Sequence, residues 1–66
     1  PHKIIDIDCS SSDIYLLSET MVMRYEASTA IKKEETELQD DGVRICATSA
    51  GAYIVTEASE LIEAKF

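Results

Sequence analysis

Few residues in this sequence are placed to do chemistry, and Asp6, Asp8 and Asp13 are the most regularly spaced of them. Asp6 and Asp8 alternate with Ile5 and Ile7, so in an extended strand the acids share one face and the isoleucines the other. With Asp13 from the following turn they could approach a cation. Hard cations take six or more oxygens, however, and no Asp-x-Asp-x-Asp-Gly loop is present. We read these acids as a solvated outer face. His2 has no second histidine with which to hold zinc. Cys9 and Cys46 lack a sequence neighbour that would lower a thiol pKa, and both read as buried free thiols in apolar runs. A disulfide between them would need their Cα atoms within about 7 Å. Ser10-Ser11-Ser12 suits a turn, because short hydroxyl side chains bond their own backbone. Pro1 offers one secondary amine as a base. No metal or cofactor is implied.

Charge and size narrow the classes further. Thirteen acids against six bases leave a net charge of −7, the wrong sign for a nucleic-acid backbone or an anionic membrane. No apolar run nears the roughly 18 residues that span a bilayer. A chain of 66 residues is one small domain or part of one, and buries only about 60% of its unfolded surface. Two cysteines are too few for a disulfide scaffold, which places the chain in a reducing, intracellular setting, cytoplasmic or nuclear.

The elements that would position these residues are short and extended. Ile5 to Cys9, Ile14 to Leu17 and Met21 to Tyr25 are strand-like runs separated by polar turns, the pattern of an antiparallel meander. Ala27 to Asp41 is polar, with Ile31 and Leu38 as its large apolar anchors. It suits either a helical turn or two, or a solvated edge strand with its connection. Asp41-Gly42 ends it as a turn. Val43 to Ala47 and Ala52 to Thr56 then alternate again, and the tail from Glu57 to Phe66 suits a helix or a short final strand.

A shift of 38 residues brings two halves into register: Ile5 over Val43, Ile7 over Ile45, Ser11 over Ser49, and Tyr15-Leu16-Leu17-Ser18-Glu19 over Tyr53-Ile54-Val55-Thr56-Glu57. Met23 then falls over Leu61. Tyr15 and Tyr53 occupy equivalent positions and are expected to share a packing role. The repeats span 4–26 and 42–66 and are joined by an acidic connection, 27–41. We therefore expect an all-β fold, with a small α/β or α+β domain carrying a helix within 12–38 as the alternative.

The run from Asp6 to Ser18, followed by Met21 to Glu26, resembles a WD repeat, with Tyr25-Glu26 standing where that family has Trp-Asp. The regulator-of-chromosome-condensation repeat is similar too, its Leu-Thr strand ending echoed by Val55-Thr56-Glu57. Either resemblance implies two blades of a β-propeller and a role in binding protein partners rather than in catalysis. Two blades cannot close a propeller, so the chain is expected to need other blades or other chains beside it. Five acids fall within residues 34–41, and residues 34–66 carry eight acids against Arg44 and Lys65. Glu34, Glu35, Glu37, Asp40 and Asp41, together with Tyr25, are thus the expected partner-contacting residues.

A second reading is a self-contained acidic mini-protein that covers a basic protein surface by charge mimicry. A third uses Pro1. A free N-terminal proline is the catalytic base of the 4-oxalocrotonate tautomerase family, whose subunits are of similar length. Ser11 and Gln39 stand where that family places arginines, and Ser10 to Leu17 does not read as its first helix, so this reading is the most distant.

Overall fold

The structure is a computed structural model that describes residues 3–66; the readings that rest on Pro1 and His2 lie outside the described residues. Seven antiparallel strands follow one another as β1 (Ile4–Cys9), β2 (Asp13–Ser18), β3 (Met21–Glu26), β4 (Lys32–Glu37), β5 (Gly42–Thr48), β6 (Gly51–Thr56) and β7 (Leu61–Glu63). They form two meanders, β1-β2-β3-β4 and β5-β6-β7. No helix occurs among the described residues, which removes the α/β and α+β alternatives. The polar segment open between helix and strand contains β4, the charged outer strand of the first sheet. Charged side chains on such an edge oppose pairing with stray chains.

The repeat governs the strands. β1 and β5 start 38 residues apart, at Ile4 and Gly42, as do β2 and β6, at Asp13 and Gly51. Even the irregularity recurs: the register slips between Ile4 and Asp6 in the first sheet and between Gly42 and Arg44 in the second. Hydroxyls at matching positions close the turns. The Asp13 N–H donates to Ser10 Oγ (3.2 Å) and the Gly51 N–H to Thr48 Oγ1 (3.1 Å). Ser18 and Thr56 do the same for the next turn, accepting from the N–H groups of Met21 (3.0 Å) and Glu60 (3.3 Å). That second turn is one residue longer in the second repeat, since Leu17 pairs with Val22 but Val55 with Leu61. Met23 therefore matches Ile62, not Leu61. Ser59 takes up the extra residue at a φ of 62°.

The two sheets pack face to face. Residues opposite one another on antiparallel strands share a face, so Asp6, Asp8, Tyr15, Leu17, Val22 and Arg24 lie on the side of the first sheet that meets the second. Ile45, Ala52 and Ile54 lie on the answering side, and Tyr15, Leu17, Val22, Ile45, Ala52 and Ile54 form one core, all at 7% exposure or less. Gly42 is needed at the junction: a Cβ there would lie 2.7 Å from Leu17 Cδ1, which is itself fully buried.

Three expectations are corrected here. Asp6 and Asp8 turn toward the second sheet while Ile5 and Ile7 are exposed, the reverse of a solvated acidic face. Cys9 and Cys46 are free and exposed rather than buried, because each lies on an outer face of the pair of sheets. Tyr15 is 2% exposed and Tyr53 37%, so the equivalent tyrosines do not share a packing role. A third layer would be needed to bury Tyr53 as Tyr15 is buried.

Candidate functional site

Asp13, which opens β2, is the most enclosed carboxylate, at 4% exposure. Arg24 on the adjacent β3 donates to its Oδ2 from Nε (3.1 Å) and Nη2 (2.8 Å), and Lys33 on β4 donates from Nζ to Oδ1 (2.6 Å). Lys33 first and Arg24 second hold the Asp13 carboxyl below the usual carboxylate range, and Asp13 in turn raises the Arg24 pKa. Arg24 also donates from Nη1 to Glu34 Oε1 (2.8 Å) and stacks its Cζ 6.0 Å from the Tyr15 ring centroid. Phe66 closes on the same tyrosine, ring centroids 6.2 Å apart. With both oxygens occupied by cations, Asp13 is neither a free base nor a free ligand. The cluster ties three strands together.

Asp6 and Asp8 tie the sheets together. Asp6 Oδ2 accepts from the Ile45 N–H (2.8 Å) and Asp8 Oδ2 from the Ala47 N–H (2.7 Å), both on β5. Their other oxygens accept from the next residue's own backbone, Ile7 (3.0 Å) and Cys9 (2.9 Å). Bonds to Ala47 and then Cys9 lower the Asp8 pKa. These carboxylates stand in for the strand partner that β5 lacks on that side. No group of three metal-ligating side chains occurs among the described residues.

The expected recognition residues do not form one strip. Glu34 faces inward and is engaged by Arg24, whereas Glu35 pairs with Lys32, raising the Lys32 pKa. Glu35 and Glu37 lie opposite Met23 and Met21, on the outer face of the first sheet that also carries half-buried Tyr25. Asp40 and Asp41 lie apart, in the connection to β5, where the Asp41 carbonyl accepts from the Glu57 N–H (2.8 Å). Tyr25 thus shares a face with Glu35 and Glu37, but it lies opposite Lys32 at the other end of the strand pair from Glu37, and Asp40 and Asp41 are further away.

Sequence reasoning missed two other features. The outer face of the second sheet exposes Tyr53, Val55 and Leu61, with Val43 beside them and Arg44, Cys46 and Glu63 on the same side. Its signal was present in the repeat, because Tyr53 and Val55 match two core residues of the first sheet. Beside this face, β7 is the last strand of its sheet among the described residues, and between it and the β4–β5 connection lies a cleft of about 350 Å³. Thr36, Leu38, Thr56, Ile62 and Ala64 line it, with Glu37, Asp40, Glu60, Glu63 and Lys65 at its rim. No helix among the described residues is long and apolar enough to cross a membrane. No protein-family model, curated protein or solved structure matches the chain.

Proposed function

We propose that the chain is a non-catalytic protein-binding segment of a β-propeller-like assembly, each sheet acting as one blade and the outer face of the second sheet seating the next. One observation carries this reading. Tyr53, Val55 and Leu61 hold, in the second sheet, the places of the buried Tyr15, Leu17 and Val22, yet stand exposed at 37%, 39% and 68%. A surface built on the pattern of an existing sheet-to-sheet interface is suited to a further sheet of the same kind. The resemblance to WD repeats points the same way. The partner is a protein, another chain of the assembly, and two exposed free thiols suit an intracellular, reducing compartment.

Sedimentation of the purified chain over a wide concentration range tests the reading. Association is expected, and Val55→Lys combined with Leu61→Lys should abolish it while leaving the circular dichroism unchanged, since both side chains are exposed. A cooperatively melting monomer at every concentration overturns the proposal, as does association indifferent to the two lysines.

A further inference from the structure

We infer that the outer face of the first sheet is the seat for the outer face of the second, so that copies of this chain stack head to tail in the register in which its own sheets meet. This rests on the reading of the second sheet's outer face as a binding surface, and it names the surface bound.

The repeat makes the two outer faces complementary. A step of 38 residues turns the pairs Asp6–Leu17, Ile7–Leu16, Asp8–Tyr15 and Cys9–Ile14 of the first sheet into Arg44–Val55, Ile45–Ile54, Cys46–Tyr53 and Ala47–Ala52 of the second. The inner face of the first sheet is thereby matched by the outer face of the second. Equally, Ile7, Leu16 and Met23 on the outer face of the first sheet match Ile45, Ile54 and Ile62. Those three isoleucines belong to the surface on which Tyr15 and Leu17 pack within the molecule. One chain thus carries both a copy of its guest face and a copy of its host face. Ile7 is exposed, and Ile14, Leu16, Met21 and Tyr25 are half-buried. This match lies in residues inside the two sheets and owes nothing to where the chain begins or ends. The seat is shallower than its internal counterpart, because Cys9 and Ile14 replace Ala47 and Ala52.

The bonds between the sheets translate into contacts between copies. Within the molecule Asp6 accepts from the Ile45 N–H (2.8 Å) and Asp8 from the Ala47 N–H (2.7 Å). The same register between copies sets Arg44 of one against Ile7 of the next, and Cys46 against Cys9. The Ile7 N–H is already held by Asp6 Oδ1 (3.0 Å), so an incoming Arg44 guanidinium meets a carboxylate, a contact of complementary charge. Cys46 and Cys9, both exposed and free, arrive side by side, where a disulfide needs Cα atoms within about 7 Å. Two different faces in contact make a heterologous interface, which propagates as a ring or an open stack rather than as a symmetric dimer.

Disulfide trapping tests the register. A Cys9→Ser chain keeps only Cys46 and a Cys46→Ser chain only Cys9, and both positions are exposed. Oxidised glutathione takes up the two electrons as two thiols join. With it, an equimolar mixture of the two chains should form the Cys9–Cys46 dimer about tenfold faster than either chain alone forms a dimer. Val55→Lys with Leu61→Lys in the Cys9→Ser chain should remove that advantage. Linking no faster in the mixture than in the separate chains overturns the inference, as does an advantage that survives the two lysines. If the unaltered chain still associates in sedimentation, such a result leaves the second sheet's outer face as a binding surface and strikes only its proposed seat.

Discussion

Two aspartates carry charge into this structure for opposite purposes. Asp13 is neutralised by Lys33 and Arg24 within one sheet, and Asp8 is bonded by backbone N–H groups, one of them across to the other sheet. Both carboxyls titrate below their ordinary value of 3.8 in the fold. As pH falls, the unfolded chain therefore takes up protons first. The stability these groups contribute is complete above about pH 5 and is lost as pH falls through the unfolded value and then the folded ones. Urea midpoints measured from pH 7 to pH 3 should decline steeply below about pH 5, and Asp8→Asn should flatten part of that decline. An unchanged slope in Asp8→Asn would show that its bond to Ala47 contributes nothing. Alternation in the sequence correctly separates Asp6 and Asp8 from Ile5 and Ile7. It cannot say which set turns inward, because that depends on where the second sheet sits. The acids won because β5 offers unpaired N–H groups there, a demand invisible to hydrophobic counting.

At the scale of elements, the 38-residue period anticipated the alignment of two pairs of strands, and the structure adds to it a shared bulge and two kinds of hydroxyl-closed turn that the sequence reading did not name. It slipped by one residue at β7, where a longer turn carries Ser59 at positive φ. The polar, charged segment around β4, with Ile31 and Leu38 as its large apolar anchors, left helix and strand both open. Its strand character follows from pairing with β3, where Arg24 meets Glu34, and from Lys33 reaching Asp13 on β2. The turn feeding β4 contains a strained residue: Ala30 has a φ of 59°, with its N–H bonded to the Glu26 carbonyl (2.8 Å). A left-handed conformation costs an L-residue about 1–2 kcal/mol, partly offset by the greater unfolded freedom of glycine. Ala30→Gly should accordingly stabilise the chain by about 0.5–1 kcal/mol in denaturant titrations; a destabilised variant would show that this turn is not strained.

For the whole molecule, the sheets cover one face of each other; the second sheet's outer face leaves its large apolar side chains exposed, whereas the first sheet's leaves Ile7 exposed but Met23 buried. Val43, Tyr53, Val55 and Leu61 are exposed because no third layer covers the second sheet's outer face among the described residues. The acidic residues that drew attention in the sequence are divided by the fold between an ion cluster, an outer face and a connection. The apolar face was legible only through the repeat, once Tyr53 and Val55 are seen to occupy the places of core residues. A methyl and amide NMR map recorded as the chain is concentrated tests this most directly. Signals of Val43, Val55 and Leu61 should move together with increasing concentration while those of Leu17 and Ile54 hold still. Shifts centred instead on Asp40 and Asp41, or no shifts at any concentration, would contradict the account of the second sheet's outer face as the binding surface.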